Sequence, residues 1–109
     1  MMSAEVLGAH ARYNRWMNDK LYGLAARMSD EARKRDDGAF FKSIHGTFNH
    51  LLVDDRRWLS RVQGTELPEG DWGPGGIRSL DQELYADFRE LRRERAETEA
   101  AKAVAVSEF

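Results

Sequence analysis

Cysteine is absent from the 109 residues, which excludes disulfides, thiolate metal sites and a cysteine nucleophile together. Proline is scarce: Pro68 and Pro74 are the two, and both fall in one glycine-rich stretch. No window approaches the roughly 18 uninterrupted apolar residues that a membrane span needs. The start, Met1-Met2-Ser3-Ala4-Glu5, also lacks the basic and apolar regions of a signal peptide, so the cytoplasm is the expected location and no membrane partner is expected. Neither sign of charge dominates, because 17 basic against 19 acidic residues leave a net charge of −2. Without a long basic stripe, no nucleic-acid partner is expected; Arg33-Lys34-Arg35 and Arg92-Arg93 read as solvated helix faces.

What is present is the composition of a globular helical domain, 41% hydrophobic and 33% charged. A chain of this length forms one domain, residues 1–109, and hides roughly two thirds of its unfolded surface around one modest core. Val6, His10, Tyr13, Met17, Leu21, Leu24 and Met28 recur in steps of three, four or seven, which predicts a first helix over about 3–28 with these residues on one face. Ser29 before Asp30 and Glu31 caps a short polar helical segment, and Asp36-Asp37-Gly38 is a turn. A second helix is expected over about 39–63, with Phe41, Ile44, Phe48, Leu51, Leu52, Trp58, Leu59 and Val62 as its stripe and Gly64 as its stop.

Between Gly64 and Arg78 the glycines and both prolines predict a long loop, which Trp72 would pin to the bundle. Ser79 and Gln82 have the spacing of a capping box and open a third helix, about 79–106. Its stripe of Leu80, Leu84, Phe88 and Leu91 is followed on the same face by Arg95, Thr98 and Lys102, so its second half is expected to bury little. Three amphipathic helices without strand patterning predict an all-α bundle, in which sites lie on facing interior side chains.

The second helix carries the residues with chemical potential. His50 and Asp54 stand one turn apart, about 40° from each other on a helical wheel, and could share a cation. Ser43, Thr47, Arg57 and Arg61 fall near the same azimuth, so the line reads either as a polar seam beside a cleft or as an exposed flank with an ordinary ion-pair pattern. Asp55 lies within the apolar stripe and requires a partner: it reads either as a group supporting a site or as a structural anchor held by an arginine or a tryptophan N–H from another helix, the anchor being the favoured reading. His45, about 140° from His50, cannot share an ion with it on a regular helix and is expected at the border of the core, bonded to backbone or solvent. His10 is expected on the buried face of the first helix as a satisfied core residue. Tyr13, Trp16 and Trp58 read as packing residues, and neither a nucleophile with its base nor a phosphate-binding loop is present.

Tyr13-Asn14-Arg15-Trp16-Met17-Asn18 with Leu21-Tyr22, and Gly38-Ala39-Phe40-Phe41 through His45-Gly46-Thr47-Phe48-Asn49-His50-Leu51-Leu52-Val53 to Trp58-Leu59, resemble the DinB family of DinB/YfiT-like metalloenzymes. The likeness covers most of residues 3–64 and continues loosely to about Arg95. It implies an up-down-down-up four-helix bundle, dimeric, that binds a divalent cation such as nickel or zinc through three histidines at one end. The first of these precedes a tryptophan by eight residues and matches His50, since Trp58 follows at that distance. The other two form a His-x-x-x-His pair on the fourth helix, and this sequence holds no such pair. The expectation is therefore an incomplete bundle of this type, truncated after its third helix, with an incomplete metal site in which His50 is the metal ligand.

The resemblance further implies a parent activity of metal-assisted transfer or isomerisation using a low-molecular-weight thiol as partner. The isolated chain is not expected to turn over. The alternative is a noncatalytic module that forms a homodimer through uncovered helix faces, or an inactive fragment.

Overall fold

The computed structural model describes residues 3–38, 40–62, 64 and 82–107. Four helices follow in order: α1 (Ala4–Ala26), α2 (Asp30–Lys34), α3 (Ile44–Val62) and α4 (Phe88–Ser107), with no strand among the described residues. The all-helical expectation holds. The loop at 65–81, the pinning role of Trp72 and the Ser79 half of the capping box lie outside the described residues.

Each helix starts on a short polar side chain that accepts from an otherwise unpaired amide. Ser3 Oγ accepts from Val6 N, Ser29 Oγ from Ala32 N, Ser43 Oγ from Gly46 N and Asp87 Oδ2 from Glu90 N. The turn at Asp36–Gly38 forms as expected, with Gly38 at φ +82°, and Gly64 terminates α3 at φ +70°.

Two helix boundaries differ from expectation for identifiable reasons. The second long helix begins at Ile44 rather than near residue 39, because Lys42 takes a left-handed φ of 73° that no helix continues through. The last begins at Phe88 rather than near 79, because the amides of Leu84 and Tyr85 are already used. Both donate to the side-chain oxygen of Asn49, at 2.8 and 3.0 Å, which holds the approach to α4 out of helical conformation.

Helix α4 packs against both α1 and α3, and α2 packs against α3. The core centres on Tyr22 and Ala25 of α1, Phe48 and Leu52 of α3, and Phe88 and Leu91 of α4. Tyr22 stacks on Phe48 with ring centroids 4.2 Å apart. Arg33 of α2 lies over the Phe88 ring and donates to the carbonyls of Ala25 and Met28, closing the end of α1.

The inward face of α1 is not the one its apolar periodicity marks. Of the face it marks, Val6, His10, Tyr13, Leu21 and Leu24 are exposed, Leu24 at 60%, and Met17 and Met28 are half-buried. The face turned to α4 instead carries Asn18, Tyr22 and Ala25, about one residue around the helix. The reason lies on α4, whose second half, expected to bury little, buries Arg95, Thr98, Glu99, Lys102, Ala105 and Val106. A partner face rich in charge selects the polar and small residues of α1 over its large apolar ones.

Candidate functional site

His50 lies on α3 with its side chain only 16% exposed, although the helical wheel sets it well away from the apolar stripe. Its cover comes from outside the helix. The Phe41 ring stacks on the imidazole with centroids 3.8 Å apart and planes inclined by 16°. His50 Nε2 lies 3.1 Å from Asp54 Oδ2, so the expected one-turn pairing forms, with Asp54 half exposed. The remaining polar seam divides. Ser43 and Thr47 serve the start of α3, through Gly46 N to Ser43 Oγ and Thr47 Oγ1 to Ser43 O.

Asp54 also faces a cleft of about 330 Å³ between α1, α3 and α4, lined in part by His10, Asn14, Asp55, Trp58 and Lys102. His10 therefore belongs to the rim of a cleft rather than to the core, and Asn14 Nδ2 donates to its Nδ1 at 3.4 Å. The correction follows from the rotation of α1. Tyr13 and Trp16 are likewise exposed instead of packed inside, their rings 6.1 Å apart.

Asp55 forms the floor of this region and has the partners its position demands. Its carboxylate accepts from Arg95 Nη2 at 2.5 Å and from Lys102 Nζ at 3.2 Å, both from α4. Arg95 bridges on to Glu99, which also accepts from Asn18 Nδ2 of α1. Two buried cations and two carboxylates thus balance, tying all three long helices through one network. Beside it, burial pushes the Tyr22 hydroxyl well above the ordinary tyrosine range, with Arg95 opposing and Glu99 reinforcing the shift.

His45 is fully buried rather than at the border, but its expected bond to backbone is present. Its Nε2 lies 2.8 Å from the Tyr85 carbonyl, which can only accept, so Nε2 carries the proton. Asn49, one turn along, donates to the same carbonyl at 3.2 Å while accepting from Leu84 and Tyr85. The two side chains act as a fastener for the segment entering α4. Sequence reasoning assigned no role to Asn49 or Glu99, whose partners lie far away in the chain, and it placed Phe41 on the apolar stripe of the second helix, whereas Phe41 precedes α3 and stacks on His50 from a turn. The signal within reach was Asn49 itself, an amide one turn after His45 on a face flanked by Phe48 and Leu52.

Among the described residues no group of three or more His, Cys, Asp or Glu side chains is placed to hold a metal ion. Two histidine–carboxylate pairs are present among the described residues, His45 with Glu83 at 3.3 Å and His50 with Asp54 at 3.1 Å; in the first the imidazole Nε2 is already engaged by the Tyr85 carbonyl, so the second is the candidate donor set. Such a set fits two-point anchorage of a divalent cation, not a closed three-ligand centre. No helix among the described residues is long and apolar enough to cross a membrane. No curated protein and no solved structure matches the chain. The sequence profile of the DinB family matches residues 2–107, nearly its whole length, and the chain belongs to that family.

Proposed function

We propose that this chain is a DinB-type divalent-metal-binding domain in which His50 supplies the nitrogen donor and Asp54 the adjacent oxygen. The observation that carries the reading is the His50–Asp54 pair: an imidazole held with Nε2 toward a half-exposed carboxylate on the rim of a cleft. Two donors leave most positions on nickel or zinc to water or to an added ligand, and a low-molecular-weight thiol is the ligand class the family suggests. Bound there, the cation would supply Lewis acidity, lowering the thiol's pKa and holding the thiolate. The chain's own contribution is orientation: His50 and Asp54 anchor, and Trp58 with Leu7 and Val106 forms the apolar part of the cleft wall.

Two-point anchorage implies weak binding, on the order of 10 µM or about 7 kcal/mol, far below a structural zinc site. The reading is of a binding domain without independent turnover. Titration calorimetry with Ni²⁺ and Zn²⁺ tests it. One equivalent should bind to the wild-type chain, with affinity reduced at least tenfold in His50→Ala. Binding that is absent up to millimolar metal, or unchanged in His50→Ala, overturns it.

A second reading, association of two copies, is favoured by the exposed stripe of α1. Val6, Tyr13, Leu21 and Leu24 are solvent-facing, with exposed Trp16 to one side of them, and the two leucines border an apolar groove of about 330 Å³ with Leu51 and Met28. Antiparallel pairing of two α1 helices would set Glu5 of each against Arg27 of the other and bury Trp16 near the midpoint. Sedimentation of the wild type as a dimer, and of Leu24→Glu as a monomer with unchanged helicity, is the expected result; a wild-type monomer at 100 µM, roughly the reach of a weak contact, removes this reading.

A further inference from the structure

We propose that Phe41 is a positioning residue for His50, delivered to the imidazole by a strained turn and a glycine notch; the role rests on the reading of His50 as the donor. Phe41 precedes α3, so no helical periodicity relates it to His50. Its ring nevertheless covers one imidazole face at 3.8 Å with nearly parallel planes. Three features converge on this placement.

The first is the backbone at Lys42. Ser43 N donates to Phe41 O at 2.8 Å, closing a three-residue turn around a lysine at φ 73°. A γ-turn with positive φ is the rare, strained form, and lysine gains nothing from a left-handed conformation. The second is Gly46. A Cβ there would lie 2.2 Å from the Phe41 carbonyl oxygen, so the first turn of α3 has a notch that only glycine leaves open, and the Phe41 carbonyl fills it. The third is bracing. Asp37 N donates to Lys42 O at 2.7 Å, closing the loop at its base, and Phe40 packs edge-on against Phe41 while itself 91% exposed. Simple packing of a surface aromatic requires neither the strain nor the notch. Together they hold the ring where it restricts rotation of the imidazole and keeps Nε2 toward Asp54.

The test uses the full chain, metal-free, with ¹³C,¹⁵N-labelled histidine. In the wild type the His50 ring protons should be shifted upfield by the Phe41 ring relative to those of His10, with one set of signals. In Phe41→Ala and in Phe41→Leu, which retains the volume without the aromatic face, the shift should vanish and the signals average over rotamers. Ni²⁺ affinity should fall roughly three- to tenfold, the cost of ordering one freed side chain on binding. Phe41→Tyr should restore both. Helicity by circular dichroism identifies a variant that has unfolded, in which case Phe41→Leu is the one read. Wild-type His50 signals without the upfield shift, or Ni²⁺ affinity unchanged in the variants that lost it, overturn the proposal. Shifted wild-type signals in a chain that binds no Ni²⁺ retain the restraint of the imidazole and remove the metal reading alone.

Discussion

Replacing Asp55 by alanine should be among the most damaging single changes available to this protein, although the residue is only one carboxylate on one helix. The Asp55 side chain is 21% exposed and pairs with Lys102, which is 10% exposed, and, together with Glu99, with Arg95, at 7%. Removing one member of a buried pair costs about 3–5 kcal/mol, because the remaining charge stays desolvated without compensation. The residual solvent access of Asp55, and the hold Glu99 retains on Arg95, set the expectation at the lower end, about 3 kcal/mol. Domains of this size have total stabilities on the order of 5–15 kcal/mol, so the variant should remain folded but lose a large fraction of its margin. Urea unfolding followed at 222 nm should show a midpoint lower by roughly 2 M, taking a slope near 1.5 kcal/mol/M. Adding Lys102→Met to Asp55→Ala should recover at least 1 kcal/mol, roughly what an apolar replacement of a stranded charge returns. A midpoint shift smaller than about 0.4 M for Asp55→Ala, or no recovery in the double variant, would show that water already solvates these groups and that the network does not hold the helices together.

Asn49→Ala strips partners from the amides of Leu84 and Tyr85 at once. About 3 kcal/mol of destabilisation is expected, and hydrogen exchange at those two amides should quicken well beyond the rest of the chain; protection unchanged there would sink the fastener. Because burial raises the Tyr22 pKa, the unfolded state ionises first as pH rises past about 10. Stability should therefore be fully present below that pH and decline above it, and Tyr22→Phe should unfold at higher pH than the wild type, as read by fluorescence; equal alkaline midpoints would contradict the assignment. Gly46→Ala, though helix-favouring by propensity, should cost at least 2 kcal/mol, roughly an overpacking penalty, since its Cβ meets the Phe41 carbonyl. Thermal melting measures this, and a stabilised variant would mean the notch is not tight.

Helix identity was readable because it depends on local propensity and caps. Ser29, the Asp36–Gly38 turn and Gly64 act where their residue types suggest, since a side-chain oxygen or a positive φ is satisfied within a few residues. The need of Asp55 for a partner was readable for a different reason: a carboxylate amid leucines is intolerable unless paired, whichever helix brings the partner; that the partners are Arg95 and Lys102 was not. His50 is the reverse case. Periodicity placed it off the core, and family likeness nominated it; the Phe41 cover that reconciles the two comes from a turn with no periodic signature.

The orientation of α1 was out of reach of pattern reading. Its large apolar residues mark one face, yet Tyr22 and Asn18 mark another, and the choice between them rests on α4, some 80 residues later in the chain. Local patterning settles which segments become helices, where they are capped and which carboxylate must be paired, because those free energies arise within a turn or two. Which face turns inward, where the last helix begins and what shields His50 depend on groups outside the helix concerned: the charges of α4, the Asn49 amide and, from a turn with no periodic signature, the Phe41 ring. Their energies exist only once the helices have met.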